Sequence, residues 1–528
     1  MRGYNAFMAD SFHWADITAD KIIREKGDKE LYVCASGITP SGTVHIGNFR
    51  EIISVALTVR ALREKGKKVR FLYSWDDYDV FRKVPKNMPQ QELLETFLRQ
   101  PITSVPDVYG LYDSYAQYNE KTLEKLLPIV GVEPEFIYQS VKYRNGDYAD
   151  QIKRALDNKD EIRRILNEHR TAPLPEDWLP VSVFCEKCRR DTTDVYDYDG
   201  EHTLRYRCSS CGADEALDLY RTESAKLPWR IDWPMRWAFE KVDFEPAGKD
   251  HHSEGGSFDT AKKIVAVFGG EAPVTFQYDF ISIKGRGGKI SSSGGDVIGL
   301  DDVLEVYTPE VTRYLFAGTR PNTEFAVSFD LDVLKIYEDY ESCERLYFTQ
   351  NPTPKEQSKK AKSDRIYELS QVKEVPSECP YQISIRHLCN LLQIHDGSID
   401  AVLRSLKDLK PSQEARLRQK SECAWNWITK FAPEEFRFSL RSADSPKPAA
   451  ENGLAAVMSD VRDLVAEKMD NCDEKTFGEA VYASMQEHNV TSAEFFTLMY
   501  QTLIGKDKGP RLINFMYTIG RERLLTLL

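Results

Sequence analysis

The chain has 528 residues, 83 acidic against 71 basic side chains, and a formal net charge of -12. That length exceeds what one core holds, since cores stop growing at roughly 250–300 residues, so two to four domains are expected. With 41% hydrophobic and 29% charged residues, the composition excludes a disordered or collagen-like chain. No apolar run approaches the ~20 residues of a membrane helix, and residues 1–15 lack the basic start and apolar core of a secretory signal. A cytoplasmic, membrane-free protein is expected. The acidic balance argues against a chain that coats nucleic acid over its whole surface, but leaves room for a local basic groove.

In chain order, residues 31–35 are β-prone and meet a turn-rich segment at 36–42. Over 43–64, Ile46, Phe49, Ile52, Ile53, Ala56, Val59 and Leu62 recur at near-helical spacing. Gly66 ends that helix, and 69–74 reads as a second strand. Strand, glycine turn, helix and strand make a βαβ unit, which implies an α/β fold with a parallel sheet. Ligands of such sheets sit beyond the carboxyl ends of the strands. Those ends carry residues 39–45 and the carboxylates Asp76, Asp77 and Asp79.

Residues 97–222 read as an insertion, with a charged helix expected over 148–170. Within it Cys185, Cys188, Cys208 and Cys211 follow the spacing C-x2-C-x19-C-x2-C. Two such knuckles close a tetrahedral zinc site, and four thiolates leave no open position, so a structural Zn2+ is expected. Between them lies a hairpin with a turn at Gly200. The other six cysteines are scattered, as buried, inert thiols are. Sheet character returns over 223–330, interrupted by a glycine-rich loop at 284–295, and helical patterns fill 331–528.

Two segments carry chemistry. Residues 39–48 (TPSGTVHIGN) put glycines, His45 and Asn48 at a helix start, where backbone N–H groups and the dipole favour phosphate. Residues 289–293 (KISSS) offer an ammonium and three hydroxyls on a glycine-flanked loop. In this order the two resemble the HIGH and KMSKS signatures of class I aminoacyl-tRNA synthetases, with Asn48 closing the first and Ser292 replacing the second lysine of the other. Residues 35–50, 232–237 and 509–523 are similar to the class I lysyl-tRNA synthetase family.

The resemblance implies a Rossmann-type parallel-sheet catalytic domain in two halves, 1–96 and 223–330. It further implies a connective insertion bearing a zinc ribbon at 97–222, and an all-α anticodon-binding domain at 331–528. It implies ATP with Mg2+, L-lysine and tRNA(Lys) as partners of a monomer. His45, Asn48 and Lys289 become the catalytic candidates. ATP is expected at Pro40, Gly42, His45, Gly47, Asn48, Gly248, Asp250, Lys289, Ser291, Ser292 and Ser293. Lysine is expected at Gly37, Thr39, Asp76, Trp237 and His251, with Trp233 a second wall candidate. Glutamate-charging relatives carry an arginine near the end of the first strand, where this chain has Ala35. A cation is thus missing where an anionic side chain would need one. Glutamate or glutamine specificity is the nearest rival, followed by a general nucleotidyltransferase and by a non-enzymatic zinc-ribbon protein. Phosphate contacts are expected in the basic stretches 284–289, 404–420 and 506–523.

Overall fold

The computed structural model describes residues 13–86, 88–284, 297–451 and 453–528. Its contacts divide the chain into two units. The first holds residues up to 303, 309–327 and 351–375; the second holds 304–308, 328–350 and 376–528. Among the described residues no helix is long and apolar enough to cross a membrane.

The first unit is α/β. Helix α1 (Trp14–Lys26) precedes strand β1 (Tyr32–Ile38), helix α2 (Ile46–Glu64) and strand β2 (Val69–Trp75). Strand β3 (Glu135–Tyr138) pairs parallel with β2 on the side away from β1. On the other flank of β1 the chain returns through Phe244, which bridges Cys34, and then through Val274, which bridges Phe244, both parallel. Strands β9 (Ala247–Gly248) and β10 (Gln277–Tyr278) continue those two segments as a parallel pair. The strand order reverses beside β1, and the crevice at that reversal is where an open α/β sheet holds its ligand.

Helix α2 starts at Ile46 rather than at 43, because His45 and Asn48 form a capping box that fixes the first turn. Its sides are buried nearly all round: Phe49, Ile52, Ile53, Val55, Leu57 and Val59 are each at most 2% exposed. Such a helix belongs to the core rather than to a surface. It also carries a buried cation. The Arg50 guanidinium donates to the carbonyls of Asp279, Phe280, Arg320 and Thr323 at 2.7–3.2 Å. Arg50 therefore holds the approach to strand β11 (Ile281–Ile283), which pairs parallel with β12 (Phe325–Val327).

The insertion departs from one expected helix. Residues 148–170 form two, Ala149–Asp157 and Lys159–Asn167, broken where Asn158 leaves helical geometry. Leu156 and Ile162 are both buried, yet six residues at about 100° each would set them about 240° apart on a continuous helix. The break realigns the two apolar faces. Beyond them come β4 (Ser182–Val183), the three-stranded antiparallel ribbon β5 (Thr193–Tyr198), β6 (Thr203–Cys208) and β7 (Asp214–Asp218), then β8 (Ala225–Lys226) pairing back to β4.

The second unit is helical among the described residues. Val457, Val461 and Val465 make one stripe of helix Gly453–Glu467 and meet Phe477, Val481, Phe495 and Phe515 in a shared core. The C-terminal segment contributes to that core. Phe515 is buried, Arg521 donates to the Ala466 carbonyl, and Arg523 donates to that of Ile394. Much of the basic stretch 404–420 is neutralised: Arg416 pairs with Glu344, Arg418 with Asp400 and Lys420 with Glu341. Helix Pro354–Ser370 groups with the first unit, not with the helical one.

Replacing Arg50 by methionine should keep the bulk but strand several buried carbonyls, each costing roughly 1–3 kcal/mol. A fall in unfolding free energy of about 3 kcal/mol or more by denaturant titration is expected. A change under about 1 kcal/mol would show that those carbonyls find other donors.

Candidate active site

After β1 the chain turns over Thr39, Pro40, Ser41 and Gly42, with Ser41 N donating to Thr39 O at 2.8 Å. Helix α3 (Tyr115–Leu126) pins this turn. The Tyr115 hydroxyl donates to Ser41 O at 3.0 Å, and Asn119 Nδ2 to Pro40 O at 3.4 Å. In the capping box His45 Nδ1 accepts from Asn48 N, and Asn48 Oδ1 accepts from His45 N, both at 3.2 Å. That commitment leaves the Nδ2 donor of Asn48 outside the capping box, and Asn48 lines the cleft. A Cβ on Gly47 would lie 2.9 Å from the His45 ring, so this glycine makes room for the imidazole. Lys289, Ser291, Ser292 and Ser293 lie outside the described residues. The flank that follows them is described: Ile298 O accepts from Ile46 N at 2.9 Å, and Gly299 bridges His45.

Beside this helix start opens a cleft of about 840 Å³. Of the residues expected from sequence, Gly37, Thr39, Asn48, Asp76 and His251 line it. His45 is buried at its edge, while Asp250 is exposed on the short helix Lys249–His252 and Gly248 is buried at its start. Trp237 does not line this cleft but lines a smaller pocket together with Gly37 and Asp76. It is 1% exposed, packs in the core with Val33 and Ala35, and donates to Glu245 at 2.6 Å. Trp178 and several tyrosines line the cleft, and so does Trp229, at the start of helix α4 (Trp229–Glu240). Its ring stacks on Trp233 at 5.1 Å and 13°. His251 Nδ1 lies 2.5 Å from Ser257 Oγ and its ring 6.3 Å from that of Trp229.

Charge around the cleft is mostly negative. Glu51, Asp76, Asp79, Asp177, Asp191, Asp194 and Asp232 line it, against Arg82 and Lys226. The nearby cation Arg236 is locked away: it donates to Asp76 at 2.5 Å, to Ser74 Oγ at 2.7 Å, and pairs with Asp232 at 3.3 Å. The two carboxylates hold this guanidinium firmly charged, so it is not available to a substrate carboxylate. Glu51, one helical turn past the capping box, accepts from Ser36 Oγ at 2.9 Å, Gly37 N at 3.1 Å and the Tyr278 hydroxyl. Burial raises its pKa above the ordinary carboxylate value. Nearby, burial pushes Asp77 up to about 6 and Glu245 up to about 7. Glu120, on α3, is pushed by burial up to about 8, and its Oε1 has no hydrogen-bond partner among the described residues.

The ribbon brings its four cysteine sulfurs within 4.8 Å of one another. Cys185 and Cys211 are 3.6 Å apart, as are Cys188 and Cys208. A tetrahedron with about 2.3 Å zinc–sulfur bonds has edges of about 3.8 Å, so the donor set fits Zn2+. The two knuckles have the same backbone plan. Arg189 N donates to Cys185 O and Gly212 N to Cys208 O, at φ +61° and +72°. The ribbon also reaches the cleft, which Phe184, Thr193, Val195 and Tyr196 help to line.

The sequence model of the family described as tRNA synthetases class I (K) matches residues 12–373. The lysine–tRNA ligase of Borreliella burgdorferi is 57% identical over 511 residues, covering 97% of this chain and 98% of that protein. This chain belongs to the class I lysyl-tRNA synthetases. Lysine–tRNA ligases of Treponema pallidum and Thermococcus kodakarensis are 52% and 40% identical, again over 97–98% of both chains. Glu51, Trp229 and Tyr278 line the cleft without having been singled out in the sequence, whereas Asp232 and Arg236 belong to the family-like segment 232–237. Glu51 carried a local signal, standing six residues after His45 on the same helix.

Two predictions follow from this geometry. Glu120 keeps its proton in the folded state up to about pH 8, whereas an unfolded glutamate loses it near 4.5. Its contribution is therefore complete below that lower value and is lost as pH rises through the window, on the order of 5 kcal/mol in all. Glu120→Gln, which mimics the neutral form, should gain stability relative to the parent between about pH 5 and pH 9. A constant difference in melting temperature across that range would refute it. Elemental analysis should find about one zinc per chain, lost in Cys185→Ser with a lower melting temperature; iron in its place would overturn the ribbon assignment.

Proposed function

We propose that this lysine–tRNA ligase activates and transfers lysine in the cleft at the carboxyl ends of β1 and β2. The surplus of carboxylates carries that reading. Lysine brings two ammonium groups, and both need anionic or oxygen-rich partners. Ala35 supplies no cation, and Arg236 is held between Asp76 and Asp232. Both features disfavour glutamate as the substrate. The lysine stem lies along Trp229, with its ammonium groups among Gly37, Thr39, Glu51, Asp76 and Tyr278.

ATP, as its Mg2+ complex, lies with its phosphates against the 39–48 turn, and Asp250 faces the ribose. The lysine carboxylate attacks the α-phosphorus, giving lysyl-adenylate and pyrophosphate. No protein nucleophile takes part. The work of the chain is positioning and stabilisation of charge on the phosphate oxygens. His45, the Asn48 amide and Lys289 supply donors there, with Ser291, Ser292 and Ser293 along the same loop. The 2′-hydroxyl of the terminal adenosine of tRNA(Lys) then attacks the adenylate. The connective insertion at 97–222 carries the zinc ribbon and walls the cleft, and the helical unit reads the anticodon.

Charging assays with tRNA(Lys) present from the start should attach lysine and not glutamate or glutamine. Lys289→Ala should slow lysine charging on the order of tenfold to a thousandfold. Charging of glutamate, or a Lys289→Ala variant at parental speed, would sink this assignment.

A further inference from the structure

Asp76 reaches the large cleft, and behind it stands a cation that does not. Arg236 lines the smaller pocket, as Asp76 also does, but is absent from the described lining of the cleft. Its side chain is buried. Trp229, Asp232 and Arg236 recur at helical spacing and so share one face of α4. That face meets the end of β2. The Arg236 guanidinium grips Asp76 with two nitrogens, Nη1 to Oδ1 at 2.5 Å and Nη2 to Oδ2 at 3.4 Å. Nη1 also donates to Ser74 Oγ at 2.7 Å, and Gln139 Nε2 donates to the same oxygen at 2.8 Å. The single proton of Ser74 is thereby directed to Asp76 Oδ1, at 3.1 Å. Asp232 Oδ2 lies 3.3 Å from Arg236 Nε, and the Tyr143 hydroxyl donates to Asp232 Oδ1. Arg236 Cζ stands 5.4 Å from the centre of the Trp229 ring.

The acceptor capacity of Asp76 is thus unevenly spent. A carboxylate offers about two lone pairs on each oxygen. Oδ1 takes donors from both Arg236 and Ser74, whereas Oδ2 takes only the long contact from Nη2. The open capacity is on Oδ2. Two carboxylates against one guanidinium also leave the cluster one negative charge over, which a substrate ammonium at Oδ2 would balance. We infer that Arg236 is a positioning residue for the lysine substrate. It does not touch the amino acid; it fixes the Asp76 carboxylate with Oδ2 open to an ammonium and backs the Trp229 ring along which the stem lies. The inference rests on the ligase reading above and names what sets the geometry of that pocket. A lysine in place of Arg236 would carry the charge without the fork, since an ammonium is a point charge that cannot hold a carboxylate in one plane.

The test is steady-state charging by the full-length chain, with tRNA(Lys) present from the start. Arg236→Lys should raise KM for lysine about tenfold or more, while kcat and KM for ATP stay within about twofold of the parent. Ser74→Ala should raise KM for lysine about threefold in the same pattern; it removes one hydroxyl and decides the matter alone if Arg236→Lys melts below the assay temperature. Arg236 acts through Asp76, so Arg236→Lys should cost less in an Asp76→Asn background than it does by itself. Effects that multiply in full, or a kcat or KM for ATP that moves along with KM for lysine, overturn the inference. If Asp76→Asn raises KM for lysine while Arg236→Lys and Ser74→Ala leave it unchanged, the inference fails and the cleft reading stands. If Asp76→Asn itself leaves KM for lysine unchanged, the cleft reading fails and the inference with it.

Discussion

Seven consecutive residues at the start of α2 tie the active site together. His45 and Asn48 cap each other and so fix where the helix begins. Arg50 gathers four carbonyls from 279–280 and 320–323, which sets the chain leading to the glycine-rich loop. Glu51 gathers Ser36, Gly37 and Tyr278, which sets the floor of the cleft. These bonds are at least partly buried, where an unmade polar contact is costly. The helix is therefore the frame on which the 39–48 turn, the segment 279–283 and the floor of the cleft are registered.

The net charge of -12 and the nucleic-acid substrate fit together once the charges are placed. Acidic side chains crowd the cleft, which suits the dicationic amino acid proposed to bind there. In the second unit many basic side chains are spent on structure: Arg416, Arg418 and Lys420 pair with acids, and Arg521 and Arg523 hold backbone carbonyls. Phosphate binding is left to short local groups of cations, so affinity should depend on few contacts and on where they stand.

How much of this could be read in the sequence depended on range. The βαβ unit, the Gly66 stop and the cysteine ribbon are local patterns, and the structure has each of them. Helix α2 was expected three residues early, because the His–Asn capping box is a side-chain event that apolar periodicity does not register. Trp229, Trp233 and Trp237 recur every four residues on one helix. Their spacing alone does not say which of them lines the large cleft: Trp229 does, while Trp233 and Trp237, the two expected beside the lysine stem, line a smaller pocket. Asp76 was legible as a carboxylate at a strand end, but its partner Arg236 lies 160 residues away in sequence. The cancellation of 404–420 by acids near 341 and 344 was hidden in the same way.

On the proposed reading, the carboxylate-rich cleft at the strand reversal takes lysine, with ATP against the capped start of α2. A crystal structure with a non-hydrolysable lysyl-adenylate analogue tests it most directly. The phosphate mimic should lie against residues 39–48, the lysyl stem along Trp229, and an ammonium within hydrogen-bond distance of Glu51 or Asp76. An analogue bound with its ammonium groups away from those carboxylates, or its phosphate mimic away from that turn, would contradict it.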